Sequence, residues 1–286
     1  MEIGVFAKLH RTDFAEELQG IVEWLKQNGC VPLVDRRVVE QFGLREVEGV
    51  EPEAIPARAD AVVVFGGDGT MLSVARLVKG YDCPILGVNL GSLGFLTEVT
   101  LDRLYTDVRA LIEGRYSLEE RCMLQATIYR KNGLPDHSEF HALNDVVVNK
   151  AALARVITVD ALFDDVFIAS FVADGMIVST PTGSTAYSLA AGGPIVYPSL
   201  ECLVITPICP HTLTNRPLVI PARNELRLVL RSGSDVMLTV DGQVGVPFHE
   251  GDEVVCTLSP HRVHLVRPTD KGFFDVLREK LKWARR

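Results

Sequence analysis

The amino-acid sequence predicts a two-domain protein, an α/β domain followed by an all-β domain. Short apolar runs alternate with segments of helical periodicity in the first part of the 286-residue chain, and beyond Tyr116 strand-like runs follow one another. The final residues return to helical spacing. We therefore place a Rossmann-like α/β domain at residues 1–115 and a β-sandwich-type domain at 116–271. A terminal helix at 272–286 is expected to return to the first domain.

The elements of the first domain follow from residue spacing. MEIGVFAKL predicts a strand, and FAEELQGIVEWLKQNG repeats its apolar residues at helical spacing before a glycine. VPLV, ADAVVVF and PILGVNL are short apolar runs suited to strands buried on both faces. TMLSVARLVKG and LDRLYTDVRALIEG again have helical spacing. This alternation indicates a parallel sheet with right-handed crossovers.

Nine strand-like runs predict the second domain. They are MLQATIYR, HALNDVVVN, RVITVDALF, FIASFVA, GMIVST, LVITPI, ELRLVLRSG, DVMLTVDG and DEVVCTL. The turn signals KNG, PTG, RSG and DG separate them. After them, FFDVLREKLKWARR carries its basic residues toward the helix end, which suits the helix dipole. Its apolar face is expected to pack on the first domain.

Composition excludes several classes of function. With 29 basic and 37 acidic residues the formal charge is -8, which argues against a broad surface for nucleic acid or an anionic membrane. No apolar run approaches the roughly 20 residues of a membrane span, and the amino terminus lacks the layout of a signal peptide. The six cysteines show no CxxC spacing. We expect reduced, mostly buried thiols in a cytoplasmic protein.

A glycine-rich turn, formed by Gly66, Gly67, Asp68 and Gly69, follows a predicted strand and precedes a predicted helix. Backbone N–H groups at such a helix terminus can face phosphate oxygens, and glycine permits close approach. No lysine lies near the turn before Lys79, so the turn is not a Walker loop, and Leu72 stands where GxGxxG needs its third glycine. The alternative is a tight turn in which Asp68 is a solvated or capping residue.

Two further polar stretches accompany this turn. Residues 174–194, DGMIVSTPTGSTAYSLAAGGP, are dense in glycine and hydroxyl groups, and Tyr187 adds a stacking face and a phenol. Asn144 and Asp145 lie within a predicted strand run; the amide can pair with an adenine edge and the carboxylate can accept from ribose hydroxyls. Taken alone, the first could be a polar loop beside a short helix and the second a turn.

Together, five stretches resemble the motifs of the NAD kinase family in order and spacing. They are GGDGTML at 66–72, NLGSLGFL at 89–96, NDVVV at 144–148, the 174–194 stretch and DGQ at 241–243. The resemblance covers most of the chain and matches the two-domain layout. The GGDG turn by itself is weak evidence for this family, because diacylglycerol kinases, sphingosine kinases and phosphofructokinases have related turns. The 174–194 stretch is far more specific.

The resemblance implies an enzyme that uses ATP and a divalent metal to phosphorylate the 2′-hydroxyl of the adenosine ribose of NAD, giving NADP. Asp68 would be the general base, while the glycines bring the ATP phosphates against the backbone. Because the turn has no Walker lysine, magnesium would carry much of the charge neutralisation. No residue is predicted as a direct metal ligand.

The resemblance also implies roles for individual binding residues. Asn144 would read the adenine, Asp145 would hold ribose hydroxyls, and Asp174 would contact the nicotinamide half of NAD. The other predicted binding residues are Gly66, Gly67, Asp68, Gly69, Phe95, Arg155, Thr185, Ala186, Tyr187, Ser188 and Gln243.

Two of these positions carry alternatives, and a third position, Ala190, departs from the family pattern. Arg155 could face a phosphate of NAD or be an exposed strand arginine. Gln243 is either a site residue or a turn residue. Many family members have a hydroxyl residue where this chain has Ala190, so no contact is assigned there.

Assembly and competing functions follow from the same motifs. In the family a second subunit usually completes the site, which implies a homodimer or homotetramer with NAD and ATP as ligands. A lipid kinase would share the GGDG turn but would not explain residues 174–194. A non-catalytic dinucleotide-binding regulator would need neither Asp68 nor a metal.

Overall fold

The fold was analysed in a computed structural model. The structure describes residues 1–10, 13–91, 94–131, 135–151, 155–267 and 272–283, of which 135–137 are described by their backbone alone. The chain forms two compact units. Unit 1 comprises Met1–Glu120 and Val263–Arg286, and unit 2 comprises Arg121–Arg262.

Eighteen strands and six α-helices are found in the described residues. In chain order they are β1 Glu2–Ala7, α1 Ala15–Gln27, β2 Val31–Asp35, α2 Arg36–Phe42, β3 Gly49–Val50, β4 Ala61–Gly66, α3 Asp68–Val78, β5 Ile85–Asn89, β6 Val99–Thr100, α4 Leu104–Ile112, β7 Ser117–Tyr129, β8 Pro135–Ala142, β9 Asp145–Lys150, β10 Ile157–Phe163, β11 Val166–Ala173, β12 Gly175–Ser179, α5 Tyr187–Ala190, β13 Cys202–Ile208, β14 Leu218–Pro221, β15 Leu226–Ser232, β16 Val236–Val240, β17 Val244–Phe248, β18 Glu253–Arg267 and α6 Phe273–Leu281. Short 3-10 helices lie at Pro52–Ala54, Leu101–Arg103 and Gly183–Thr185.

Unit 1 is built on a parallel sheet. Its strand order is β3-β2-β1-β4-β5, and every neighbouring pair is parallel. β6 and the carboxyl-terminal end of β18 also pair with β5 in parallel. From β1, the chain adds β2 and β3 on one side and then β4 and β5 on the other, so the strand order reverses direction between β1 and β4. In open sheets of this kind, ligands bind beyond the carboxyl ends of the strands at the point where the order reverses. The GGDG turn follows the carboxyl end of β4. The predicted α/β class is confirmed.

Helices cover the sheet of unit 1 as the apolar spacing predicts. α1 buries Leu18, Ile21, Val22 and Leu25, the one-sided pattern expected of an amphipathic helix. These side chains share a core with buried residues of β1, β4, β5 and α4. Leu86 and Val88 of β5 face this core, so Gly87 between them faces the opposite side of the sheet. A Cβ on Gly87 would lie 2.9 Å from the Met71 sulfur of α3, which shows that α3 covers that side. The terminal helix α6, which buries Val276 and Leu277, belongs to unit 1.

Unit 2 is a sandwich of antiparallel sheets. One sheet has the order β11-β10-β15-β18, with β7 next to β18 and β8 next to β7; the other has the order β14-β13-β12-β9-β16-β17. Both sheets contribute to one core, which includes Leu124 and Val159 from the first sheet and Val148 and Leu238 from the second. This arrangement confirms the predicted β-sandwich type.

The structure also differs from the predicted elements. The run HALNDVVVN is divided, since β8 ends at Ala142 in one sheet and β9 begins at Asp145 in the other. The helix α2 and the strands β14 and β17 were not predicted. Asn132 and Gly133 of the predicted KNG turn and the last three residues of the predicted terminal helix lie outside the described residues.

All six cysteines are free thiols; five are buried and Cys209 is exposed. Within the part of the chain that the structure describes, no helix has both the length and the apolar character needed to cross a membrane.

Candidate active site

The GGDG turn joins a fully buried strand to a helix in unit 1. Gly67 is extended, with φ -109° and ψ -170°, and its carbonyl accepts from the amides of Thr70 at 3.0 Å and Met71 at 3.2 Å. A Cβ on Gly66 would lie 2.7 Å from the Thr70 Cβ, so only glycine lets the first turn of α3 fold back against the strand end. The turn therefore places Asp68 at the amino terminus of α3, at the carboxyl edge of the sheet.

The Asp68 carboxylate points to the second predicted motif rather than to its own helix. One oxygen accepts from the Phe95 amide and the other from the Leu96 amide, each at 3.0 Å. Gly94 makes this approach possible, since a Cβ there would lie 2.9 Å from the carboxyl carbon of Asp68. Two motifs far apart in the chain thus meet at one carboxylate. Ser92 and Leu93 of the second motif lie outside the described residues.

Phe95 is half-buried beside the terminal helix. Its backbone amide donates to the Asp68 carboxylate, and its ring centroid lies 5.8 Å from the Lys280 ammonium of α6, within cation–π range. The side chain that sequence analysis assigned to binding is therefore tied to both the GGDG turn and α6.

Asp241 holds the Asn144–Asp145 segment in unit 2. Its carboxylate accepts from three consecutive amides, those of Leu143 at 3.1 Å, Asn144 at 2.8 Å and Asp145 at 3.2 Å. Its own amide donates to the Asp145 carbonyl at 2.9 Å. Asp241 has a positive φ of 50° in the turn between β16 and β17. This aspartate stabilises the bend at which the chain leaves one sheet and enters the other.

The 174–194 stretch packs against the same bend. The Thr180 amide donates to the Asn144 carbonyl at 2.9 Å, and the Thr180 hydroxyl donates to the Leu143 carbonyl at 2.6 Å. A Cβ on Gly183 would lie 2.7 Å from the Asn144 Cα, so this glycine permits the close approach. Two of the predicted binding motifs are therefore joined in unit 2.

The Asp145 side chain is buried without a hydrogen bond. It is 5% exposed, and the described residues provide no donor to either of its carboxylate oxygens. Burial, and secondarily the negative charge of Asp241, raise the pKa of this carboxyl to about 7. Such a group is poised to accept hydrogen bonds from the hydroxyls of a ligand.

Tyr187 lies within electrostatic reach of the same carboxylate. The ring is 41% exposed. Burial raises the pKa of the phenol, and electrostatic interactions with Cys209, Asp145 and Asp174 raise it further. Lys150 lies 3.6 Å from the Asp174 carboxylate, so this aspartate has a cationic neighbour. The structure thus brings Asp145, Asp174 and Tyr187 into one neighbourhood.

The other predicted residues of the 174–194 stretch make internal contacts. The Thr185 hydroxyl donates to the Thr182 carbonyl at 3.1 Å, and the Ala186 amide donates to the Gly183 carbonyl at 2.9 Å. Ser188 is fully buried, with its hydroxyl 2.9 Å from that of Thr206. The Ser188 side chain therefore contributes to packing inside unit 2.

Arg155, Gln243 and Ala190 complete the set of positions named from the sequence. Arg155 and Gln243 are exposed, and the Gln243 amide donates to the Val240 carbonyl at 2.9 Å within the DGQ turn. Ala190 is the last residue of α5, where its amide donates to the Ala186 carbonyl at 3.3 Å.

Sequence reasoning missed Asp241, Thr180, Gly183 and Gly94 as organising residues. The Asp-Gly pair at 241–242 indicated a turn, but no local pattern says that its carboxylate reaches amides almost a hundred residues earlier. Asn89 was also missed. It pairs in register with Gly66, its Oδ1 accepts from the Gly91 amide at 2.7 Å, and its buried Nδ2 lacks a partner among the described residues.

Comparison with known proteins identifies the family. Residues 3–116 match the model of the ATP-NAD kinase N-terminal domain, and residues 143–268 match that of the ATP-NAD kinase C-terminal domain. The chain belongs to the NAD kinase family. The NAD kinases of Geobacter sulfurreducens and Geobacter metallireducens are 48% and 49% identical to it over 286 residues, which is 100% of this chain and 99% of each relative.

Solved structures of NAD kinase family proteins have the same fold. Yeast NADH kinase in complex with NADH superposes with a TM-score of 0.87 at 27% identity, covering 99% of this chain and 87% of the yeast chain. The NAD kinase of Archaeoglobus fulgidus in complex with ATP superposes with a TM-score of 0.77 at 26% identity, covering 99% of both chains.

Proposed function

We propose that the chain transfers the γ-phosphoryl group of ATP to the 2′-hydroxyl of the adenosine ribose of NAD, giving NADP and ADP, with Asp68 as the general base. The 2′-oxygen forms a bond to the γ-phosphorus, the bond from that phosphorus to the departing ADP oxygen breaks, and the hydroxyl proton passes to Asp68. The observation that carries the proposal is the fixed Asp68 carboxylate in a chain that matches the family over both domains.

The contacts of Asp68 suit a base. Each oxygen accepts one backbone amide, which sets the plane of the carboxylate and leaves further lone pairs for a substrate hydroxyl. The residue also lies at the amino terminus of α3, where the helix dipole and backbone N–H groups favour phosphate oxygens. The turn of Gly66, Gly67 and Gly69 would thus place the phosphates near the base, and most of the catalysis would come from positioning.

The residues of unit 2 would bind NAD. Asn144 pairs with the adenine edge, while the buried Asp145 carboxylate, which has no donor of its own, accepts the ribose hydroxyls. Asp174 contacts the nicotinamide half, and Thr185, Ala186 and Tyr187 line the dinucleotide pocket. The remaining binding positions of unit 2 are Arg155, Ser188 and Gln243, of which Arg155 would face a phosphate of NAD. Phe95 of unit 1 is a further proposed binding position.

Magnesium enters this proposal as part of the substrate, MgATP. Where the structure describes the chain, no three side chains among His, Cys, Asp and Glu are grouped as ligands for a metal ion. Both Asp68 oxygens already accept amides, so this residue does not fit a direct bidentate ligand. The cation supplies charge neutralisation on the phosphates.

Asp68→Asn tests the base. The amide keeps the size of the carboxylate, so we expect a near-normal melting temperature and NAD affinity, with kcat reduced by about 10²- to 10⁴-fold. NADP formed from NAD, ATP and magnesium is measured with a dehydrogenase specific for it. Asp82→Asn, at an exposed aspartate of unit 1, is the matched control and should keep full activity.

The alternatives give different results. If Asp68→Asn forms NADP at close to the unmodified rate, Asp68 is not the base. Phosphorylation of diacylglycerol in place of NAD would indicate a lipid kinase. NAD binding without ATP turnover in the unmodified protein would indicate a non-catalytic regulator.

A further inference from the structure

Thr97 carries a buried hydroxyl that the fold leaves without a partner. The residue is 0% exposed, and no described group lies within hydrogen-bond distance and geometry of its Oγ1. Buried polar groups without a partner are rare in native proteins and destabilising, so each one calls for an explanation. Among the described residues, the hydroxyl therefore contributes no hydrogen bond to this part of unit 1.

The position of this hydroxyl links it to Asp68. A Cβ built on Gly94 would lie 2.5 Å from Thr97 Oγ1, and its closest neighbour of all would be Oδ1 of Asp68. Both oxygens therefore face the same small space, which is open only because residue 94 has no side chain. Asp68 Oδ1 also accepts the Leu96 amide at 3.0 Å, so the carboxylate and Thr97 are held by adjacent residues of one backbone segment.

The chemistry of the proposed base requires a group with the properties of this hydroxyl. Before the transfer Asp68 is a carboxylate and accepts hydrogen bonds. After it has taken the 2′-hydroxyl proton, it is a carboxylic acid with an O–H that needs an acceptor. The Phe95 and Leu96 amides can only donate. A threonine hydroxyl can do both, because rotation about its C–O bond turns a donor into an acceptor.

We infer that Thr97 is a positioning residue for Asp68: its hydroxyl, which has no partner among the described residues before phosphoryl transfer, accepts the hydrogen bond of the carboxylic acid that Asp68 becomes after it. Thr97 keeps its own proton throughout, and the only proton that changes owner passes from the ribose hydroxyl to Asp68. The inference rests on the proposed role of Asp68 as the base.

Thr97→Val tests the hydroxyl, because valine has the same shape and no polar atom. We expect kcat to fall about 10- to 100-fold, because the loss of one hydrogen bond to a reacting group can reduce the rate by this much. KM for NAD and ATP should change less than about twofold. The melting temperature should stay the same or rise, because the substitution removes an unpartnered buried hydroxyl. Thr100→Val, at an exposed threonine of β6, is the matched control and should change neither quantity.

A second pair of variants isolates the hydroxyl even if valine packs poorly. Thr97→Ser and Thr97→Ala both lose the methyl group and differ only in the hydroxyl. We expect the serine variant to keep kcat within about threefold of the unmodified protein and the alanine variant to lose as much as valine does. Equal kcat for serine and alanine would overturn the inference, as would a full-speed Thr97→Val.

The dependence on Asp68 separates the two proposals. In an Asp68→Asn background, Thr97→Val should cause no further loss, since the group that it serves is gone. If Asp68→Asn is slow and Thr97→Val is fast, only the role of Thr97 is wrong. If Asp68→Asn itself is fast, the proposed base is wrong and the role of Thr97 falls with it.

Discussion

At the scale of the residue, Asp145 is a carboxyl group in a position that disfavours its charge. Burial and the neighbouring Asp241 raise its pKa to about 7, from an ordinary value of 3.8. The fold tolerates this cost because the segment that carries Asp145 is held by backbone bonds rather than by its side chain. An arrangement of this kind is typical of a binding position, where the missing partner comes with the ligand.

The pH dependence of NAD binding tests this interpretation. The ionised Asp145 accepts two ribose hydroxyls, so NAD affinity should rise as pH increases through about 7 and the protonated fraction disappears. Asp145→Ala leaves those hydroxyls without an acceptor and should weaken NAD binding by about 1 to 3 kcal/mol at pH values above 7. Titration calorimetry at several pH values measures both effects. An affinity unchanged in Asp145→Ala would contradict the ribose role, and Asp102→Asn, at an exposed position, is the control.

The same raised pKa fixes the sign of a stability effect. The unfolded carboxyl ionises near 3.8 and the folded one near 7, so the stability contributed by the protonated group is present at low pH and is lost as pH rises through about 7. Asp145→Asn cannot ionise and should therefore melt at a higher temperature than the unmodified protein above pH 7. A lower melting temperature for this variant would mean that the carboxylate is structurally satisfied.

At the scale of the element, the bend at Leu143–Asn144 is the feature that builds the unit 2 site. β8 and β9 belong to different sheets, and the chain can pass between them only if the amides of the bend are satisfied. Asp241 accepts three of them, and Thr180 donates to two carbonyls. The hairpin turn of β16 and β17 therefore holds the segment that carries the proposed binding residues Asn144 and Asp145.

Asp241→Asn tests this role of the turn. The amide can accept through only one oxygen, so at least one amide of the bend loses its partner, and we expect destabilisation of about 1 to 3 kcal/mol by denaturant unfolding. The variant also removes the charge that raises the pKa of Asp145. The pH midpoint of NAD binding should consequently move below 7. Asp235→Asn, at the exposed start of the same strand, should change neither property.

If the pH midpoint of NAD binding is the same in Asp241→Asn as in the unmodified protein, the charge of Asp241 does not raise the pKa of Asp145. Unchanged stability would contradict the structural role of the turn.

The elements that the sequence predicted share a strong local pattern. α1 repeats its buried residues at 18, 21, 22 and 25, and β4 and β5 are continuous apolar runs, so burial and periodicity agree. α2 was missed because it buries only Val38, although Asp35 caps the Arg37 amide at 2.9 Å and Gly43 ends it with a φ of 61°. β14 and β17 contain Pro221 and Pro247 and lie at the two edges of their sheet, where proline is tolerated.

For the candidate site as well, the sequence predicts the residues that have a strong local pattern. The motifs predict Asp68, Asn144, Asp145 and Tyr187 as site residues because their residue types indicate their chemistry, and these roles stay predictions. The residue that holds the Asn144–Asp145 segment was not predictable, since Asp241 acts through contacts that only the fold creates. A pattern in the chain gives the chemistry of a side chain, whereas the partner across a sheet or turn depends on tertiary packing.

At the scale of the whole molecule, the charge of the chain opposes its proposed ligands. The formal charge is -8, and both NAD and ATP are anionic, so long-range attraction does not favour binding. Local donors must overcome this, and the helix terminus at the GGDG turn is of that kind.

Two sheet edges of unit 2 expose apolar side chains. β11 stands at the end of one strand order and exposes Val166 at 68% and Phe167 at 58%; β14 stands at the end of the other and exposes Val219 at 52%. Exposed apolar edges favour association with another chain. They support the proposal that the protein is a homodimer or homotetramer.

The last prediction concerns this assembly. The protein should elute as a dimer or larger species in size-exclusion chromatography with light scattering at micromolar concentration. Phe167→Glu introduces a charge on the β11 edge, and burying it in an interface would be costly, so this variant should shift toward the monomer. Val31→Glu, at an exposed valine of unit 1, should not. Because a second subunit is expected to complete the site, the monomeric variant should also lose NADP formation while keeping its melting transition. A fully active monomer, either in the unmodified protein or in Phe167→Glu, would show that each chain carries a complete site and that the apolar edges serve another purpose.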